Sequence, residues 1–466
     1  MNENNTNKTP SPEERGRPKM RIQKINKDGA SAPKETKKPR VNIKEKLSRS
    51  VDSAKKEFKK RFDAYLDHRR ETLNKNDVVF SERLTEEKKQ TVVLAKGGID
   101  KSFLICVLLL LIFGAIMSFS ASSVYAQNKY DDSAYFFKRY ILFTLMSIIV
   151  AVPAVLFMTP RLWKAAGIVI YCATVVLLLL VLVIGATRGG AQRWIIIGPI
   201  TVQPSEIAKM ALVMVLALYM SKHEKEITST HQFGGSFIHG VLIPGCIIGL
   251  ILVLVALEKH ISGLIIIGMI GISVMFLGGT RMKWIFLIVG AVVVAACGLV
   301  LVSDYAQVRV NTWLNIDAAD PRGEAWQTLQ GMYAIGSGGF FGLGLGNSRQ
   351  KFGYVSEPQN DFIFTIICEE LGFLGALLVV GLFGFFVWRG FTIAAHAPNK
   401  FCSLVVYGLT FKTALQAALN IAVVTNAIPN TGIALPFFSS GGTALLIQIF
   451  EMAIILSISR FSVIKK

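Results

Sequence analysis

Two carboxylates and the residues around them set the first chemical question. In the stretch Tyr354-Val-Ser-Glu-Pro-Gln-Asn-Asp361-Phe-Ile-Phe, Asp361 heads an apolar run and Glu357 lies four residues before it. A carboxylate at such a boundary meets opposing influences: a helix N-terminus and Asn360 favour its charged form, and partial burial raises its pKa. A general base that takes a proton from a hydroxyl needs that balance. An N-terminal capping Asp is the plainer alternative for the same position.

Cations accompany these acids. The segment from Thr187 to Lys209 reads TRGGAQRWIIIGPITVQPSEIAK. Arg188 and Arg193 are placed to meet anionic headgroups, with Trp194 and Ile195 to Ile197 in the interface. Pro204 suits the first turn of a helix. Glu206 and Lys209 then fall at i, i+3 just inside it, either as a structural ion pair or with Lys209 lining a polar cavity. Between Ala334 and Ser348 runs AIGSGGFFGLGLGNS, which lacks GK[ST] and an in-register GxGxxG and is not a nucleotide loop. It reads as a re-entrant or tightly folded segment whose glycines permit close backbone approach to a ligand and unusual φ values. A third polar stretch, IPNTGIALPFFSSGGT over 428–443, leads into the last apolar run. Lys412 and Glu451 lie about 21–22 Å below the outer ends of their helices and are expected to pair.

The elements that must position these groups are membrane helices. Hydrophobic residues make up 52% of the 466 residues and charged ones 17%, which places the chain in the membrane class. Apolar runs of about twenty residues, enough to cross a hydrocarbon core as helix, recur near 102–126, 139–159, 162–185, 205–220, 237–257, 261–279, 284–302, 361–388, 402–427 and 437–459. The expected fold is all-α and polytopic, with ten transmembrane helices over 102–460 and a large extracytoplasmic loop at 303–360 between helices 7 and 8. Residues 1–101 carry most of the net charge of +19 and are expected to be a basic, largely disordered cytoplasmic tail containing an amphipathic helix or a solvated linker. Ten spans return 461–466 to the cytoplasm, and short inner loops bearing Arg161, Lys164, Lys222, Arg281 and Lys283 fit the positive-inside rule. Outer loops nevertheless hold Arg188, Arg193, Lys259, Arg309 and Lys351. Positive charge kept where topology disfavours it suggests an anionic, phosphate-bearing ligand at the outer face. The six cysteines form no CxxC pair and read as packing residues.

RGGAQRW, QPSEIAK, WQTLQGMYAIGSGGFFGLGLGNSRQKFGYVSEPQNDFIF, EELGFLG and NTGIALPFFSSGGT, in this order, resemble the SEDS (shape, elongation, division, sporulation) family of FtsW, RodA and SpoVE, and the branch of FtsW and SpoVE most. The resemblance covers about 101–460. It implies ten helices with both termini in the cytoplasm, polymerisation of lipid II into glycan at the outer face, and a class B penicillin-binding protein as partner. It also implies that the family's essential Asp falls on Asp361, the motif's Glu on Glu357 and its preceding basic position on Lys351. Departures are Lys259 where Pro is usual and Asn360 where Thr is common.

The expected reaction is an inverting glycosyl transfer. Asp361 would be the base, Arg188, Arg193, Lys209 and Lys351 would hold the pyrophosphate of the leaving group, and Glu357 is counted with them as a substrate-binding residue. A divalent cation on that pyrophosphate is possible chemistry, but the sequence contains no ligand cluster for a bound metal. Competing readings are a lipid II flippase and a non-catalytic division scaffold. Other division or elongation proteins are expected partners of the tail, and nucleic acid is not.

Overall fold

A lipid environment offers no partner to an unpaired backbone group, so apolar runs of this length must fold as helix. The computed structural model describes residues 92–93, 98–188, 191–198, 200–228, 235–302, 304–316, 320, 323, 325–439, 441–461 and 464–465. The amphipathic helix expected in the tail lies outside these residues. Helices α1 (Lys101–Tyr130), α2 (Tyr135–Phe157), α3 (Pro160–Ile184) and α4 (Pro204–Lys222) are followed by α5 (Ile243–Leu257), α6 (Ile261–Gly278) and α7 (Met282–Val302). Then come α8 (Asp304–Leu314), α9 (Trp326–Ser337), α10 (Ile363–Ala395), α11 (Lys400–Val424) and α12 (Gly442–Ser459). Among the described residues, nine helices are long and apolar enough to cross a membrane. The seventh expected span, near 284–302, corresponds to α7, whose apolar part counted by length is the shorter Met282–Val294. The chain is a multi-pass membrane protein.

Local chemistry sets the helix starts. Asp100 caps α1 by accepting from Phe103 N at 2.9 Å, and the same carboxylate pairs with Arg389 of α10 at 2.8 Å. Pro160 and Pro204 occupy first turns, where a missing N–H costs nothing. The most enclosed helices are α4, α11 and α12, and α3 is the most exposed to the surroundings of the bundle. The loop after α3 departs from the all-helical expectation. It forms a three-stranded antiparallel sheet of β1 (Ala186–Arg188), β2 (Ala191–Ile197) and β3 (Ile200–Val202), with Gly198 turning at φ 58°.

The expected eighth span is not one continuous helix. Gly372 takes φ 67° and ψ −162°, so α10 consists of a fully interior half-helix ending at Leu371 and a membrane-length helix beginning at Phe373. The glycine run satisfies the backbone groups this break frees. Leu343 N and Gly344 N donate to the carbonyls of Glu369 and Glu370 at 3.0 and 2.9 Å, and Phe373 N and Leu374 N donate to Gly339 O and Phe340 O. The expectation that these glycines admit a ligand is therefore corrected: they admit the protein's own backbone. A Cβ on Gly338 would lie 1.9 Å from Cys368 O, and one on Gly342 2.2 Å from Glu370 O.

Side chains complete the lock. Glu369 accepts from Ser348 Oγ at 2.5 Å and Arg349 N at 2.9 Å, and Glu370 accepts from Ser120 Oγ and Lys351 Nζ. Deeper in the bundle, Lys412 donates to Glu451 at 2.8 Å and Gln448 at 2.9 Å, all three buried.

Gly342→Ala, which combines a left-handed φ of 82° with the backbone clash, should lower the thermal unfolding midpoint in detergent well below that of Gly346→Ala. Gly346 has open space and bears only the backbone cost, about 1–3 kcal/mol. Lys412→Met should cost about 3–5 kcal/mol by stranding Glu451, and the swap Lys412→Glu with Glu451→Lys should recover part of the loss in the same melt.

Candidate active site

Asp361 immediately precedes the buried half-helix, where Phe362 is the capping residue and makes no side-chain cap bond. The capping alternative for the Asp361 carboxylate thus gives way, because its side chain is placed one residue too early. Its backbone is held firmly. Asn420 of α11 donates to Asp361 O at 2.6 Å and to Ile433 O at 2.7 Å, joining the two polar stretches that flank α11. Ser439 Oγ adds a bond to Asn360 O at 2.6 Å, and Phe362 packs beneath Gly331 of α9. Gly432, at φ 64°, passes so close that a Cβ there would lie 3.4 Å from Asp361 Oδ2. The carboxylate itself remains half-buried. Burial pushes its pKa up to about 6, helped by the charge of Glu357 and opposed by its own backbone N–H and by Arg309. Glu357 is exposed at φ 48° and accepts from Asn360 Nδ2 at 2.7 Å.

The expected phosphate-binding cations separate into two groups. Arg193 stays near the loops at this end of the bundle, its Nη2 donating to Lys259 O at 2.6 Å. The side chain of Arg188 lies outside the described residues. Lys209 is 3% exposed and bound to Glu206 Oε1 at 2.7 Å. Lys351 is 4% exposed, between Gly346 O at 2.6 Å and Glu370 Oε1 at 3.1 Å. Neither lysine is presented to a ligand. The physical reason is common to both: an ammonium inside a bundle must find a carboxylate, and each has one within reach of its stem. Arg309 supplies a cation at Asp361 instead, anchored on Asn430 O.

The hairpin between α5 and α6 borders this region. Lys259 takes φ 55°, in the left-handed region, which Pro, locked near −65°, cannot adopt. Its neighbour Glu258 is fully buried beside Arg193, and burial raises its carboxyl to about 8 against the pull of that arginine. His260 bonds Ser205 Oγ and is lowered to about 4 by burial and by Arg193 and Lys209. Ser262 Oγ donates to Thr431 O, tying the hairpin to the loop that touches Asp361. Below, a cavity of about 30 Å³ bordered by Glu206, Gln416, Phe437, Ser439, Leu445 and Gln448 is large enough for a water. Among the described residues no group of three His, Cys, Asp or Glu is placed to hold a metal ion.

Sequence reasoning missed Asn420 as the clamp on Asp361, Glu370 as the anchor of Lys351 and Glu369 as the acceptor for Ser348 and Arg349. Asn420 carries no motif of its own. The paired glutamates directly before Leu-Gly were a usable signal, because two adjacent acids in an apolar run demand partners.

Comparisons with known proteins agree with this architecture. The model of the FtsW, RodA and SpoVE family, described as cell cycle protein, matches residues 100–464. Stage V sporulation protein E of Bacillus subtilis is 39% identical over 370 residues, covering 79% of this chain and 98% of its own. The probable peptidoglycan glycosyltransferase FtsW of Trichlorobacter lovleyi is 36% identical, covering 77% and 93%. A chain of a solved peptidoglycan synthase complex, whose report concerns the coordination of polymerization and crosslinking, superposes with a TM-score of 0.65 at 23% identity over 78% of this chain and 98% of that one. The rod shape determining protein RodA of Thermus thermophilus superposes with a TM-score of 0.57 at 21% identity, over 78% and 97%. The solved structures establish a shared fold, and the sequence matches establish that the chain belongs to the FtsW, RodA and SpoVE family of cell cycle proteins.

Proposed function

We propose that this chain is a peptidoglycan glycosyltransferase that polymerises lipid II at the outer face of the bacterial cytoplasmic membrane. In this reading the loop-rich end bearing Asp361 faces outward and both termini lie in the cytoplasm. The observation that carries it is Asp361, a half-buried carboxylate with its pKa raised to about 6, fixed at its backbone by Asn420 and facing Arg309. FtsW relatives are named as probable peptidoglycan glycosyltransferases, which supports that substrate class.

In the reaction, Asp361 takes the proton of the acceptor's 4-hydroxyl as its oxygen bonds the anomeric carbon of the growing chain. The bond from that carbon to the pyrophosphate oxygen breaks, undecaprenyl pyrophosphate leaves, and the configuration inverts. A base at about 6 is stronger than an ordinary aspartate yet still mostly ionised at neutral pH, the compromise general-base catalysis favours. Arg193, Arg309 and Arg188 balance the charge that develops on the leaving group. Lys209 and Lys351 act indirectly, by holding α4 and the glycine loop. A class B penicillin-binding protein receives the glycan for crosslinking, in line with a solved relative that is part of a synthase complex for polymerization and crosslinking. The basic tail recruits other division or elongation proteins.

Asp361→Asn should reduce glycan formed from purified lipid II by about 100-fold or more, with thermal stability unchanged. Wild-type chain that moves lipid II across vesicles but forms no glycan would replace the enzyme with a flippase. Because the base works ionised, the polymerisation rate should hold at neutral pH and fall as pH drops through about 6. A flat rate from pH 7 to 5 would remove Asp361 from that role.

A further inference from the structure

At the end of the bundle opposite Asp361, α1, α2 and α12 leave a notch between them. Ser439, beside Asn360, precedes α12, whereas the notch lies against the last turns of that helix. It is a cavity of about 260 Å³ lined by residues of 99–111, 148–156 and 449–456, and every lining residue is Ala, Val, Leu, Ile or Met. Val107, Met452 and Ala453 form a buried floor, and Leu108, Val152 and Leu156 are exposed walls. The notch therefore opens sideways, toward the hydrocarbon around the bundle.

We infer that this notch binds one acyl chain of an anionic phospholipid, with the lipid phosphate held at its mouth by Lys101 and Arg460. The inference goes beyond the polymerase reading and takes from it only the orientation that makes this leaflet the cytoplasmic one.

The lining comes first. A cavity walled by apolar side chains gives a water none of the partners it needs, so hydrocarbon is what it admits. Its size comes second. A helix, about 10–12 Å across with its side chains, is too broad for a notch of about 260 Å³, and an acyl chain is not. The charge at the mouth comes third. Arg460 Nη1 donates to the carbonyls of Val155 and Leu156, both lining residues. That fixes the guanidinium at the rim, and its fork carries further N–H donors. Lys101 is exposed and stands one turn before Leu104 and two before Leu108, on the face of α1 that lines the notch. Asp100 does not oppose an anion here, because its carboxylate is committed to Phe103 N and Arg389. Two cations at the rim of an apolar slot match a lipid phosphate above its chain.

The test offers full-length chain in detergent two lipids, dioleoyl-phosphatidylglycerol and dioleoyl-phosphatidylcholine, which share their chains and differ in charge. Retained lipid is read by native mass spectrometry. Wild type should hold the anionic lipid in preference to the zwitterionic one, and the anionic lipid should raise its thermal unfolding midpoint. Lys101→Gln should weaken retention of the anionic lipid about fivefold and leave the zwitterionic one unchanged. Val152→Trp, at an exposed wall, should fill the notch and lower retention of both, and Ala151→Leu serves as a second filler should the first not fold. The basic tail is present in every variant, so a difference between them reports the notch. Equal retention of the two lipids by wild type, or undiminished anionic lipid in Lys101→Gln or in a folded filler variant, would each overturn the site.

Discussion

Backbone hydrogen bonding at membrane depth is the constraint on which the rest depends. A helix interrupted at Gly372 frees carbonyls before the break and amides after it, and hydrocarbon offers neither a partner. The run from Gly338 to Gly344 supplies both, donating to Glu369 O and Glu370 O and accepting from Phe373 N and Leu374 N. Only residues without a Cβ allow that approach, since added atoms at Gly338 and Gly342 would fall within 2.2 Å of backbone oxygen. Breaking the helix in this way turns its first part inward and leaves Asp361 at its mouth, on a backbone that cannot drift.

Buried charge follows the same logic one level up. Lys351 and Glu370 stabilise the glycine loop, Lys209 and Glu206 lie on α4, and Lys412 with Glu451 joins α11 to α12. Glu206 and Lys209 lie within electrostatic range of Lys412, so the two deeper pairs form one cluster beneath the Asp361 segment. Such pairs add little net stability compared with apolar packing, but removing one member strands the other. They therefore specify which helices meet, and the register of α4, α11 and α12 sets where Asn420 and Ser439 grip the chain around Asp361.

The site itself divides its work between rigidity and exposure. Asp361 is anchored through its carbonyl and its neighbours, so its side chain is left half-buried and raised in pKa against the pull of Arg309. The α5–α6 hairpin, with Lys259 in a conformation proline cannot take, reaches the same loop through Ser262. The hairpin therefore contacts the loop beside Asp361.

The sequence alone determined the membrane class, nearly all of the helix positions, the start of α4 at Pro204 and the motif that holds Asp361, because hydropathy, proline geometry and residue identity are local properties. Only the tertiary structure decided the break at Gly372, the inward turn of Lys209 and Lys351, and the roles of Asn420 and Arg309. A hydropathy count is blind to φ, so an apolar run with one left-handed glycine looks like an uninterrupted span. Whether a lysine faces a ligand or a glutamate depends on carboxylates up to about twenty residues away and on the bundle that encloses them. The clamp from Asn420 to Asp361 crosses 59 positions of the chain, a separation over which no local pattern carries information.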